Sequence, residues 1–346
     1  MMQSNLSTKR YINYSKDEWD RLLLNFEATI NYTAWFLNYV EILNNASEIQ
    51  NFTFVLYETH RPIAIVPLYV EKINGQFQIS MGQEPVFAPI FNSNIVTSNI
   101  SENIEYIVNQ IDKVACINNC ILARFNFSPL INYNFSPNEY FKYGYDENIF
   151  YPDWYIFKSN SSFVLNLANS KESIFNNIRK GHKSNIKQTQ KIANLILLDE
   201  DSYNEELFNS YIDLYYKAKG NKRSADAFKL DSLAINSGLQ FIMICEFQDK
   251  LIGAIAFHIY NNKARYNSSI QIYNNTLRIH PTHFLLWSGI EYLINKGYTL
   301  LEIGEQVIES EHNSASLKEK NLSHFKAGWG CDLISNNKIQ KEFKNV

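Results

Sequence analysis

Short apolar runs set off by turn residues recur through this chain, and they fall into two matching sets. In the first half FTFVLYE, PIAIVPLYVEK and QFQISMG are divided at Thr59-His60-Arg61 and at Gly75. In the second half QFIMICEF, LIGAIAFHIY and ARYNSSIQI are divided at Gln248-Asp249-Lys250 and at Asn261-Asn262. Runs rich in β-branched and aromatic residues between such turns predict a three-strand meander in each half. Helical stretches precede both. Ser15-x-x-Glu18 has the spacing of a capping box, in which the two side chains satisfy each other's orphan amides, and it opens DEWDRLLLNFEATI. Asn169-x-x-Glu172 is expected to open a second helix through IFNNIRKGHKSNIKQTQK, and Ser202-x-x-Glu205 a third through LFNSYIDLYYKAKG.

An internal echo joins the halves. Ile104-Glu105-Tyr106-Ile107-Val108-Asn109 returns as Ile290-Glu291-Tyr292-Leu293-Ile294-Asn295. Each copy lies in a helix-like stretch that leads to an apolar strand, Cys120 to Phe127 in one half and Tyr298 to Gly304 in the other. Both halves therefore read helix, helix, three strands, helix, strand. That shared order predicts a duplication, each copy an α/β sheet with helices on its faces. The polar stretch around Tyr151-Pro152-Asp153 and Ser159-Asn160-Ser161-Ser162 sets the expected domains at 1–155 and 156–346, with no flexible linker between them.

Composition narrows the class. At 346 residues and 45% hydrophobic, the chain has material for real cores, which excludes a disordered or collagen-like protein. Lys+Arg 32 against Asp+Glu 35 gives a net charge of -3, so no global basic excess recommends DNA or RNA, and a polyanion would need a local patch. The apolar runs fall short of the ~20 residues a spanning helix needs. The first residues lack the apolar core of a signal peptide. Cys116, Cys120, Cys245 and Cys331 have no metal-ligand spacing and read as free thiols. A cytoplasmic protein without a transmembrane segment is expected.

Four features could carry chemistry. Lys180, Lys183, Lys187 and Lys191 are spaced to form one helical stripe beside Arg179, suited to a diphosphate or an RNA backbone; the alternative is a solvated helix face. In His324-Phe325-Lys326-Ala327-Gly328-Trp329-Gly330 an aromatic next to Lys326 can fix an ammonium beside a carbonyl or phosphate, or the segment is a turn with an exposed lysine. Glu302 sits in the apolar strand LLEIGE, where a carboxylate is costly unless paired or used, so it is a candidate general base or a salt-bridge partner. Glu305 falls on the opposite face by period-two alternation. Among 22 tyrosines, Tyr211, Tyr215, Tyr216 and Tyr266 stand in suggestive places, though most tyrosines only pack their rings. His280-Pro281-Thr282-His283 lacks a third ligand at metal spacing, so no metal is assigned.

The order NIRKGHKSNIKQTQK, YIDLYYKAKGNKRS, LIGAIAFHIYNNKARYNSS, HFLLWSGIEYLINKGYTLLEIGE and HFKAGWG, over about residues 160 to 335, resembles the FemAB-like transferases, tandem-repeat relatives of the GNAT-type acetyltransferase fold. The first half fits by its repeated plan rather than by motif. The resemblance implies a tandem pair of GNAT-like domains, each a mixed, mainly antiparallel sheet flanked by helices, the first one degenerate. It implies transfer of an acyl or aminoacyl group onto an amine of a nucleotide- or lipid-linked cell-envelope precursor, such as an amino sugar or peptidoglycan peptide. By the family's motifs Lys326 would stabilise the charge of the reacting acyl centre, with Glu302 as first and Glu305 as second choice of base. Arg179 and Lys180 fall in the stretch associated with the acceptor's phosphates, and Tyr266 on the strand lining the cleft. Lys183, Lys187, Tyr216, Phe325 and His283 complete the expected substrate-binding set. No tightly bound cofactor is implied; the donor would be a co-substrate, aminoacyl-tRNA or acyl-CoA. Two departures stand out: there is no room for the long helical arm of some peptidoglycan-bridge members, and after Arg278 the chain reads IHPTHFLLW where acyl-CoA enzymes carry a Gly-rich pyrophosphate loop. A CoA-dependent N-acetyltransferase of small amines and a non-catalytic binding module are the alternatives.

Overall fold

The computed structural model describes residues 6–43, 48–92, 100–131, 154–220, 223–272, 279–307 and 315–343, without the side chains of 101 and 155–159. The Tyr151-Pro152-Asp153 stretch and Arg278 lie outside the described residues. Contacts divide the chain into two compact units, residues 1–160 with 335–346, and 161–334.

The first unit contains β1 (Leu6–Arg10), α1 (Lys16–Leu23), α2 (Ala34–Leu43), β2 (Ile49–Asn51), β3 (Phe54–Glu58), β4 (Arg61–Val66), β5 (Tyr69–Ile73), β6 (Gln76–Ile79), β7 (Val86–Phe87), β8 (Ile90–Phe91), α3 (Ile100–Ile117) and β9 (Cys120–Asn126). Both arms of the Ser15/Glu18 capping box form at the start of α1. The expected strand PIAIVPLYVEK is broken. Pro67 has no N–H for a ladder, so β4 joins the sheet β1-β3-β4-β8 while β5 joins β2-β5-β6-β9. Helix α3 crosses over from β6 to β9, and these two strands run parallel over Phe77–Ile79 and Cys120–Ala123. Beyond that point β7 takes over as the parallel neighbour of β9, pairing Val86 with Phe125 and Phe87 with Asn126. The buried Glu71 carboxylate holds the intervening turn, accepting from Gly82 N at 2.9 Å, Gln83 N at 2.8 Å and the Ser80 hydroxyl.

The second unit follows with β10 (Trp154–Asn166, from residue 161), α4 (Lys171–Asn177), α5 (Lys180–Gln190), β11 (Asn194–Leu198), α6 (Glu205–Lys219), α7 (Ala225–Asn236), β12 (Gln240–Phe247), β13 (Lys250–Tyr260), β14 (Lys263–Gln271), α8 (Pro281–Asn295), β15 (Leu300–Glu305) and α9 (Leu317–Ala327). Its sheet has the order β11-β12-β13-β14-β15-β10. The final strand β16 (Asp332–Glu342) pairs antiparallel with β9 through Lys338–Glu342, so the end of the chain completes the first unit rather than the second.

Strands β12 and β13 are apolar without alternation because both of their faces are covered. Phe241, Met243, Ile255 and Phe257 pack under α4, α5 and α8, while Ile242, Ile244, Ala254 and Ala256 pack under α6 and α7. Each large side chain so buried contributes about 1.5–3 kcal/mol. The helix expected to run through IFNNIRKGHKSN is two helices. Ile178 is extended and buried, and Arg179 N donates to Gly328 O at 2.8 Å, which pins the break. The caps also differ from the expected ones. Ser170 rather than Asn169 caps α4, and Asn204 caps α6 while Ser202 folds back onto Asp199.

Candidate active site

Strands β14 and β15 are parallel neighbours over only three residues, Lys263–Arg265 against Leu300–Glu302. Past Arg265 a β-bulge leaves Asn267 without an opposite number on β13, since Ala256 pairs with Ser268 and Phe257 with Tyr266. A bulge adds local twist and re-aims the strand that carries it. On this stretch of β14 lies a cleft of about 700 Å³, lined by its Tyr266, Ser269 and Gln271, by His280 to His283 at the start of α8, and by Lys318, Leu322 and Phe325 of α9. All of these residues belong to the second unit.

Behind the cleft lies a cluster of imidazoles and aromatic rings. His182 is 7% exposed, and its ring meets those of His283 at 4.6 Å, Phe325 at 5.3 Å and Trp329 at 5.3 Å. Its Nε2 lies 2.9 Å from the Phe325 carbonyl. A carbonyl only accepts, so the proton is on Nε2 and the ring ties α5 to the end of α9. Gly328 makes this approach possible, because a Cβ there would come within 2.3 Å of Nε2. Burial lowers the pKa of all three cleft imidazoles: His182 and His280 fall below the usual histidine range, and His283, with His182 and His280 beside it, is pushed down to about 3. These rings are uncharged at neutral pH. They pack as rings, and among the described residues no group of three or more His, Cys, Asp or Glu side chains could hold a metal ion.

Lys326 follows Phe325 at the end of α9 and turns away from that cleft lining. Its Nζ donates to the Glu305 carbonyl at 3.3 Å and lies over Gly304, where a Cβ would be 2.7 Å from it. Gly304 has φ +118°, in the region that favours glycine. Glu302 is buried next to this group. It accepts from Ser162 Oγ at 3.0 Å and faces Arg265 Nε at 3.4 Å. Burial pulls the Lys326 ammonium below its ordinary value and Arg265 adds to the lowering, while the carboxylates of Glu302 and Glu305 pull the other way. Simple alternation would put Glu302 and Glu305 on opposite faces. A register shift makes Ile303 an extra residue, since Phe163 pairs with Gly304 and Val164 with Glu302, and both acids act on the one ammonium.

The other expected residues lie elsewhere. The lysines of α5 do form an outer stripe opposite the buried His182, Ile186 and Thr189. Lys180 is exposed, Lys183 donates to Asn176 O at 3.1 Å, and Lys187 rests 5.7 Å from the Phe175 ring centre; none lines the cleft. Arg179 sets its guanidinium 3.1 Å from the His324 ring nitrogens. Tyr216 packs on Phe228 and reaches Arg223 O at 3.4 Å, on the α6–α7 side of the sheet. Tyr266, His283 and Phe325 are brought together in the cleft, and Lys326, Glu302 and Glu305 around Gly304. The residues that sequence reasoning passed over are His182, Arg265, Ser162 and Gly304. Two had a visible signal, a histidine inside a lysine run and a glycine between two glutamates.

Neither a family model nor a curated protein matches the sequence. Solved structures do match. FemX aligns over 97% of this chain and 97% of its own at TM-score 0.69 and 10% identity. L-PGS from Bacillus licheniformis aligns over 95% of this chain and 92% of its own at TM-score 0.60 and 8% identity. A tandem GNAT protein from the clavulanic acid biosynthesis pathway aligns over 97% and 98% at TM-score 0.52 and 9% identity. At such identities the likeness establishes the backbone plan. By that plan the chain is a FemAB-like protein of the tandem GNAT fold.

Proposed function

We propose that the second unit is an N-acyltransferase, moving an acyl or aminoacyl group from an activated donor onto an amine. The observation that carries this reading is the Phe325–Lys326 pair. Adjacent residues on one helix end put an aromatic ring in the cleft and a partly buried, pKa-lowered ammonium beside two carboxylates. In the proposed reaction the amine attacks the donor carbonyl, a C–N bond forms, and the bond to the donor's sulfur or oxygen breaks. Lys326 Nζ stabilises the oxyanion, a contribution of about 3–4 kcal/mol for one well-placed donor. The proton lost by the amine passes to Glu302, or to Glu305. Arg265 and Ser162 hold Glu302 in one orientation, which makes them positioning residues. Binding both substrates in register can supply ~7 kcal/mol or more of the barrier reduction.

The similarity to FemX and L-PGS favours an acceptor linked to lipid or peptidoglycan, and we take the acceptor to be a nucleotide- or lipid-linked amine of the cell envelope, handled in the cytoplasm. Among the described residues no helix is long and apolar enough to cross a membrane. The donor is an acyl thioester or acyl ester. The local engagement of Lys183 and Lys187 gives no support to a tRNA backbone along α5. The test incubates the pure protein with acyl-CoA and aminoacyl-tRNA donors and a panel of nucleotide-linked amino sugars and peptides, read by intact mass of the acceptor. An acceptor that gains one acyl group supports the reading. A panel left unmodified by the native protein, with thioester and ester intact, counts against it. A non-catalytic module would bind donor or acceptor and modify neither.

A further inference from the structure

The cleft has a one-sided chemistry. Six apolar side chains line it: Phe247, Ile252, Ile272, Ile279, Leu322 and Phe325. Ile272 and Leu322 remain 41% and 44% exposed, an apolar surface left to water. The ionisable side chains of the lining are Lys250, Lys318, His280 and His283, and no Asp or Glu is among them. The two imidazoles stay neutral near pH 7, because burial holds both below the usual range. Two exposed ammonium groups therefore carry the charge of the cleft, one from the β12–β13 turn and one from the first turn of α9.

We propose that this cleft selects an amphiphilic anion, an apolar acyl or aryl body bearing a phosphate or carboxylate, and rejects acyl groups that carry a positive charge. The apolar body covers Phe247, Ile252 and Leu322 and removes their surface from water, at roughly 25 cal/mol per Å². The anionic group meets Lys250 and Lys318. A cationic acyl group would meet the same two ammonium groups, with no carboxylate in the lining to pair it and neutral imidazoles beneath it, and an unpaired charge out of water is strongly penalised. The aromatic rings offer a cation some attraction, typically 0.5–1 kcal/mol at exposed sites, which two like charges outweigh. The inference rests on reading this cleft as the donor's seat. It is tested by binding alone, so its failure and the failure of the transferase reading can be told apart.

The experiment is calorimetric titration of the full chain with octyl phosphate, octylamine, octanol and inorganic phosphate, each below its aggregation concentration. Octyl phosphate should bind at least tenfold tighter than any of the other three. Reversing both charges in Lys250→Glu/Lys318→Glu should cost octyl phosphate at least tenfold and improve octylamine. Leu322→Asp, at an exposed site where folding is not in question, should weaken octyl phosphate as well. Octylamine binding within threefold of octyl phosphate overturns the proposal. So does octanol or inorganic phosphate binding equally well, since then one half of the ligand suffices. So does a double variant with unaltered affinities and a native thermal transition.

Discussion

The two units share a plan and differ at one place. In both, a helix crosses over from the last strand of a meander into a parallel neighbour: β6 to β9 through α3, and β14 to β15 through α8. In both, the parallel pairing lasts about three residues. In the first unit β7 then continues the pairing along β9, and the Glu71 carboxylate fastens the turn that delivers it. In the second unit β14 is bulged beyond its pairing with β15 and lines an open cleft, and β15 ends in Glu302-Ile303-Gly304-Glu305 under Lys326. One fold thus supports a closed copy and an open copy, and the candidate chemistry sits only on the open one. A fold does not fix a function; the site grafted on it does.

That contrast can be broken by substitution. The largest effect is expected for Lys326→Ala, a loss of ~10²–10³ in turnover with a thermal transition close to native, whereas Arg124→Ala on β9 should leave turnover per folded molecule unaltered. Gly304→Ala comes next. It forces a side chain into φ +118° and a Cβ to 2.7 Å from Nζ, so turnover should fall at least tenfold and stability by about 1–3 kcal/mol. Glu302→Gln keeps an acceptor for Ser162 but removes one of the charges that favour the ammonium. The Lys326 pKa should drop further, and the alkaline limb of the pH–rate profile should move to lower pH. In the closed copy, Glu71→Gln should cost about 2 kcal/mol from weakened hydrogen bonds to a charged group, read by denaturant unfolding, with turnover unaltered.

The smallest effect is a pH dependence of stability. His283 has a folded pKa of about 3 against an ordinary 6.5. Between those values the unfolded chain binds the proton and the folded one does not, so the contribution is present above about pH 6.5 and is lost as pH falls toward 3. The buried His258, also pushed to about 3, acts in the same direction. Melting temperature should fall by several degrees between pH 7 and pH 4.5, and His283→Leu should flatten part of that slope.

Much of the frame was legible in the chain. The second meander is delimited by Gln248-Asp249 and Asn261, turn residues that take positive φ in the structure. The echo from Ile104 and Ile290 lies in the two crossover helices. What escaped was set by tertiary contact. Pro67 sends β4 and β5 to different sheets, and the contact of Arg179 with Gly328 splits a lysine-rich helix that its local sequence would continue. The shift at Ile303 is a property of strand pairing, and period-two counting therefore misplaced Glu305 relative to Glu302. His182 looked like one more basic residue in RKGHK, yet its burial and its bond to Phe325 depend on a glycine far along the chain.

The most direct test is an intact-mass time course of an amine acceptor with an activated acyl donor, run in parallel with native protein, Lys326→Ala and Glu71→Gln. The account predicts acyl gain with the native protein and with Glu71→Gln, and essentially none with a folded Lys326→Ala. Transfer at the native rate by Lys326→Ala would contradict it.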